Sequence, residues 1–240
     1  MIGNLLDLGR CDYISVYELQ RKLVNLRTSN EIPDTLILVE HPHVFTVGKA
    51  VTGVVPTQIH GVPVVRIERG GQWTYHGPGQ LVGYPIIDLN ARERDIHTFV
   101  QSIEKVLILT LLEFGIQAGR MQARDKAGVW VGTRKIASIG AAIRNWITFH
   151  GFALNVNTDM SYFEMIEPCG MPSSTIVSMQ TILNQSNVDF DEVKETVLRN
   201  FGRVFQLALK PMNMPDKSSD HTATTRSKEA TGKMACFNQF

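Results

Sequence analysis

Between Gly128 and Val156 the chain is strand-like except at two tight turns, Gly132-Thr133-Arg134 and Arg144-Asn145. A stretch that reverses twice in so few residues folds most simply as an antiparallel β-meander. That places a β-sheet at the centre of the fold. Lys135 then stands at the start of the middle strand, just past the first turn. Further strand-like runs lie at Thr35–Val39, Val62–Glu68 and Tyr84–Leu89.

Three amphipathic patterns supply its cover. Ser15-Val16-Tyr17-Glu18 fits a capping box, and Val16, Leu19, Leu23 and Leu26 form an apolar stripe behind it. Residues 93–114 carry Ile96, Phe99, Val100, Ile103, Val106, Leu107 and Leu111 at helical spacing, and 190–207 carry Val193, Val197, Phe201 and Val204. The class is α/β, a mixed β-sheet with flanking helices. Hydrophobic residues are 43% of 240, enough for a core. From Lys210 onward Pro, Ser and Thr displace the apolar residues. Such a stretch buries too little to offset its conformational entropy. The expected division is a folded domain over 1–209 and a flexible tail over 210–240, with Cys236 incidental within it.

A net charge of +1 gives no reason to invoke nucleic acid or a membrane surface. Cys11, Cys169 and Cys236 are widely spaced and form no CxxC pair, which argues against a disulfide framework or a structural zinc site. His41 and His43 alternate without further ligands, so they read as strand or turn histidines, and neither a metal nor a cofactor is expected. No apolar run approaches the roughly 18–20 residues that span a bilayer. The first dozen residues include Asp7 and Asp12 and have neither a signal-peptide core nor a transit peptide's character. A cytoplasmic location is expected, ahead of the mitochondrial matrix.

The chemistry gathers in two places. Arg69-Gly70-Gly71-Gln72-Trp73-Thr74-Tyr75-His76-Gly77-Pro78-Gly79-Gln80 interleaves bare backbone with bulky and polar groups. Gly-Gly and Gly-Pro-Gly are common turn punctuation, yet this mixture suits a pocket with apolar walls and a few polar anchors. It matches neither phosphate-binding fingerprint. Cys169 lies between Pro168 and Gly170, where a sharp turn presents the thiol to a cleft. Taken alone, a free cysteine is more often a small buried hydrophobe and a lysine a solvated charge. An ammonium group near the thiol would favour the nucleophilic thiolate.

The run Arg69–Ile86 resembles the signature of the lipoyl(octanoyl) transferases, the LipB family. The resemblance continues through Glu40-His41-Pro42, Thr46-Val47-Gly48, Gly128-Val129-Trp130-Val131, Lys135-Ile136-Ala137-Ser138-Ile139-Gly140 and His150-Gly151-Phe152-Ala153-Leu154-Asn155, and ends in Pro168-Cys169-Gly170. It covers about Leu8 to Ser178 in one order. It implies a fold related to the catalytic domain of biotin and lipoate protein ligases. It also implies octanoyl-acyl carrier protein as donor. The implied acceptors are lipoyl domains of 2-oxoacid dehydrogenase complexes and the glycine cleavage H protein.

On the same resemblance Cys169 is the nucleophile and Lys135 the residue that holds its charge and relays a proton. Arg69, Gly70, Gly71, Gln72, Trp73, Thr74, Tyr75 and His76 match the substrate-binding segments. So do Ser138, Ile139 and Gly140, and Gly151, Phe152 and Ala153. Gly70, Gly71, Gly140 and Gly151 would admit the acyl chain close to the backbone, with amide N–H groups on the thioester oxygen. Arg69 could anchor a main-chain carbonyl or meet an acidic partner. The loop Pro172-Ser173-Ser174-Thr175 departs from the glycine-containing continuation usual in the family.

Three other readings differ in class. An ATP-dependent lipoate or biotin protein ligase would share the fold and need no cysteine nucleophile. A non-catalytic acyl- or carrier-binding module would need neither Cys169 nor Lys135. A papain-like hydrolase lacks its flanking signature here.

Overall fold

The computed structural model describes residues 1–121 and 127–212. Its elements run β1 (Ile2–Arg10), α1 (Tyr13–Thr28), β2 (Thr35–Glu40), β3 (Val44–Val47), β4 (Gln58–Ile59) and β5 (Val62–Arg66). There follow β6 (Trp73–His76), β7 (Gln80–Ile86), α2 (Ile96–Glu113), β8 (Gly128–Val131), β9 (Arg134–Arg144) and β10 (Ile147–Asn155). The chain closes with α3 (Met179–Leu183), α4 (Phe190–Phe205) and β11 (Ala208–Pro211).

A seven-stranded sheet has the order β11-β1-β2-β7-β10-β9-β8, and a four-stranded sheet the order β4-β5-β3-β6. The large sheet is mixed: β1 runs parallel to both neighbours, while β2 to β8 are joined antiparallel. The expected meander is β8-β9-β10, with Gly140 opposite Gly151 and Ser138 opposite Ala153. Its second turn places Asn145 and Trp146 at φ 52° and 62°, the left-handed pair that a two-residue hairpin requires.

The large sheet buries both faces. Leu36, Leu38, Phe152 and Leu154 pack with α2 and α4, while Ile37, Val39, Phe149 and Ala153 pack with Val16, Leu23 and Val24 of α1. Alternation along β10 therefore assigns Phe149 and Ala153 to the α1 face.

Helix starts differ from the sequence expectation. Asp12, not Ser15, caps α1, its carboxylate accepting from the N–H groups of Ile14 and Ser15 at 2.9 and 3.2 Å. A carboxylate that satisfies two end donors a turn earlier displaces the weaker hydroxyl cap. Asp95 likewise starts α2 later than residue 93, accepting from His97 N–H at 2.8 Å. Strands β1, β3, β6 and β11 had no clear alternation in the sequence.

The boundary expected at residue 209 falls inside β11. Ala208–Pro211 pairs in parallel with Ile2–Leu5, and Met212 N–H donates to Leu5 O at 2.9 Å. Edge pairing needs backbone rather than apolar side chains, so composition alone did not place it. The tail beyond Met212, with Cys236, lies outside the described residues. No helix among the described residues is long and apolar enough to cross a membrane.

Candidate active site

The glycine-rich segment is not a loop throughout, because Trp73–His76 forms β6 against β3. This pairing fixes one wall of a cleft. Arg69, Gly70, Gly71, Thr74 and His76 line it from this side. Ser138–Gly140 of β9 and Gly151–Ala153 of β10 line it from the large sheet, and Cys169 closes the ring. Segments far apart in sequence thus meet around one cleft.

Four expected residues stand elsewhere. Tyr75 is fully buried in the small-sheet core, its ring stacked on Tyr162 and its hydroxyl bonded to His43 Nδ1 at 2.7 Å. Gln72 and Trp73 lie outside the cleft wall, and so does Lys135. Four wall residues escaped the sequence reading: Tyr13, Val82, Tyr84 and His150. Only Tyr13 lacked any sequence signal. The others lie within the quoted motifs but on positions that alternation gives to ordinary strand packing.

Backbone geometry presents the thiol. Cys169 is half-buried at φ 55°, a left-handed conformation uncommon for a side-chain-bearing residue. Its N–H donates to Trp73 O at 3.0 Å, and Pro168 forms a parallel bridge to Trp73, so β6 anchors the turn. Gly170 follows at φ 68°, a conformation that glycine adopts without strain. The return leg is fixed on the other side, where Ile176 bridges to Lys135 and Val177 N–H donates to Lys135 O at 3.0 Å. The cysteine turn is therefore strung between β6 and the start of β9, with Lys135 at its far anchor.

Lys135 is 2% exposed. Its Nζ donates to Ala127 O at 3.2 Å and sits 4.9 Å above the Trp130 ring, a cation–π contact in a largely desolvated place.

Beneath the cleft lies a polar floor. Gln80 spends its amide N–H groups on Tyr75 O at 3.1 Å and Asn155 Oδ1 at 2.9 Å. Its Oε1 therefore accepts from His76 Nδ1–H at 2.7 Å, and His76 keeps Nε2 as its lone-pair nitrogen. Asn155 in turn donates to Val177 O at 3.1 Å, tying the floor to the cysteine loop. His41 Nδ1–H donates to Cys11 O at 2.7 Å, so its Nε2 accepts from the Tyr84 hydroxyl at 2.9 Å.

Not every glycine serves the ligand. A Cβ on Gly151 would meet Gly83 O at 2.2 Å and Pro85 Cδ at 2.6 Å. Close approach of β7 to β10, not an acyl chain, excludes a side chain there.

Burial pushes three neutral histidines down: His41 to about 4, His76 to about 3 and His150 to about 4. In the unfolded chain the same rings titrate near 6.5. Above that pH all are neutral in both states and contribute no pH dependence. As pH falls below about 6.5 the unfolded chain takes up protons that the folded one refuses, and stability drops until the folded values are reached. Each ring adds about 1.4 kcal/mol per pH unit through that window. Urea unfolding at pH 7, 6 and 5 should show a steepening loss. A flat profile from pH 7 to 5 would mean that these rings are not neutral in the folded protein.

The lipoyl protein ligase A/B catalytic domain matches residues 12–202. An octanoyltransferase of Solibacter usitatus is 44% identical over 213 residues, covering 86% of this chain and 94% of its own. One of Flavobacterium johnsoniae is 40% identical over 225 residues, covering 85% and 96%. Among solved structures, a lipoate protein ligase of T. acidophilum with bound lipoic acid has TM-score 0.68 at 16% identity, covering 90% of this chain and 91% of that one. The biotin protein ligase of Aquifex aeolicus has TM-score 0.55 at 15% identity, covering 85% and 70%. The structural likenesses establish the fold, and the sequence identities set the branch. The chain belongs to the lipoyl protein ligase A/B catalytic-domain family and, within it, groups with the octanoyltransferases.

Proposed function

We propose that this enzyme moves an octanoyl group from acyl carrier protein to a lysine of a lipoyl domain, through a thioester on Cys169. The acceptors on this reading are lipoyl domains of 2-oxoacid dehydrogenase complexes and the glycine cleavage H protein, and the reaction is cytoplasmic. The observation that carries the reading is Cys169 itself. Its thiol lines the cleft from a left-handed turn in a chain of the octanoyltransferase branch. ATP-dependent ligation on the same fold has no use for that residue.

The steps balance through one proton. Cys169 sulfur, as thiolate, attacks the donor carbonyl; the S–C bond forms and the carrier's thiolate leaves. The Lys135 ammonium protonates that thiolate and becomes a neutral amine. The acceptor's neutral amine then attacks the Cys169 thioester, giving its proton to Lys135 as the amide bond forms. The Cys169 thiolate leaves, and the resting charges are restored. Thioester exchange is nearly balanced, so amide formation drives the cycle.

Intact mass spectrometry after mixing with octanoyl-acyl carrier protein, without acceptor, tests the reading. The expected product is one octanoyl adduct, mapping to Cys169 and cleared by adding a lipoyl domain. Acyl transfer that proceeds with no adduct, or only with ATP, would refute it.

A further inference from the structure

Arg69 is a buried cation without a carboxylate partner among the described residues. It is 7% exposed, yet no ion pair involves it. Two half-buried arginines differ: Arg27 pairs with Asp34 and Asp88, and Arg92 with Asp34. Arg69 instead spends its fork on uncharged oxygens. Nη1 donates to Gly70 O at 2.9 Å, and Nη2 to Thr46 O and Thr46 Oγ1, each at 2.9 Å. Its Nε–H is buried with no acceptor.

Neutral acceptors orient a guanidinium but do not cancel its charge, and burying an uncompensated charge is costly. Arginine cannot escape by losing its proton. The titratable groups that act on it are Tyr13 of α1, His76 of β6, Tyr84 of β7, His150 of β10 and Cys169. The phenols are held protonated by burial and the histidines are held neutral. Cys169 is the one group of this set whose reaction requires an anion, and it lines the same cleft.

We propose that Arg69 is the resident counter-cation of the reaction pocket. It holds the anionic sulfur of Cys169 at rest and the oxyanion that develops at the acyl carbonyl in each transfer. This rests on the reading of Cys169 as nucleophile. No bond to Arg69 forms or breaks and no proton leaves it. The carbonyl electron pair moves onto oxygen as the new bond forms and returns as the leaving sulfur departs, and the guanidinium stabilises that charge in place. Lys135 moves the proton, and its own charge can act beside that of Arg69.

Three variants test this: Arg69→Met, Arg69→Lys and Arg69→Ala. Iodoacetamide labelling of Cys169, followed by peptide mass mapping across pH 6–10, reads the sulfur charge directly. Arg69→Met should label about tenfold or more slowly at pH 7 and approach the wild-type rate near pH 10. Its kcat should fall much more than its KM rises. Arg69→Lys should keep most of the labelling rate, and guanidinium chloride at low concentration should partly restore labelling and transfer to Arg69→Ala. Wild-type labelling at every pH in folded Arg69→Met would overturn the proposal and leave Arg69 as a tie between Thr46 and Gly70. If Arg69→Met does not fold, Arg69→Lys labelling tenfold slowly at pH 7 overturns it as well. Failure of the Cys169 reading is separate, since it shows as a missing octanoyl adduct on the wild-type protein, whatever the labelling rates.

Discussion

Cys169→Ser should lose octanoyl transfer by roughly a thousandfold or more, because a hydroxyl is scarcely ionised near neutral pH and lacks a thiolate's nucleophilicity. The fold should tolerate the change. Residue 169 is half-buried on a turn whose backbone is held by Trp73 O, so a serine of nearly equal size keeps every main-chain contact. Melting temperature should therefore stay near the wild-type value while activity disappears. Cys11→Ala is the matched control. Cys11 is 2% exposed in the core beneath α1, is not among the cleft-lining residues, and its backbone carbonyl still serves His41 after substitution. That variant should lose some stability, about 1 kcal/mol, and keep its turnover. Steady-state transfer to a purified lipoyl domain, alongside thermal unfolding, separates the two effects. Comparable losses of transfer in both variants would remove Cys169 from the reaction.

Lys135→Met should reduce transfer by about 10²–10⁴-fold, the usual worth of a positioned acid–base group. Methionine keeps the apolar stem against Trp130 and removes the charge and the proton. Lys135→Arg should be almost as poor, because a guanidinium holds charge but neither gives nor takes a proton near neutral pH. The two cations then part company in the labelling experiment. Lys135 directs its Nζ to Ala127 O and the Trp130 face and does not line the cleft, whereas Arg69 does. Iodoacetamide labelling of Cys169 at pH 7 should therefore slow less in Lys135→Met than in Arg69→Met. A Lys135→Met enzyme that transfers octanoyl at the wild-type rate would exclude Lys135 as proton carrier.

Much of the site was legible in the sequence because its parts are local. The Pro-Cys-Gly turn and the two glycine clusters mark where the backbone can turn or be approached closely, and the meander follows from its own turns. Lys135 could be placed at a strand start from the Gly132-Thr133-Arg134 turn alone, and β9 begins at Arg134. Edge and very short strands were not legible. β6 hides inside the glycine-rich segment because its partner, β3, is only four residues long, and neither shows the alternation that marks a half-buried strand.

His150 shows where alternation misleads. Period two would give it the face of Phe152 and Leu154, beneath α2 and α4. Its φ of 54° turns the ring to the α1 side instead, where it stacks on Tyr17 at 5.7 Å and enters the cleft wall. Such a left-handed residue within a strand costs conformational energy that the surrounding packing must offset.

The fold class, the cysteine turn and the family were legible from residues alone, since each rests on short-range spacing or on motifs in one order. The charge surroundings of Arg69 emerge only in the folded molecule. Arg69 is one hundred residues from Cys169 in the chain, and its lack of a carboxylate is a fact about every neighbour that folding brings around it. Burial and charge balance are properties of the assembled surroundings, and no local pattern encodes them.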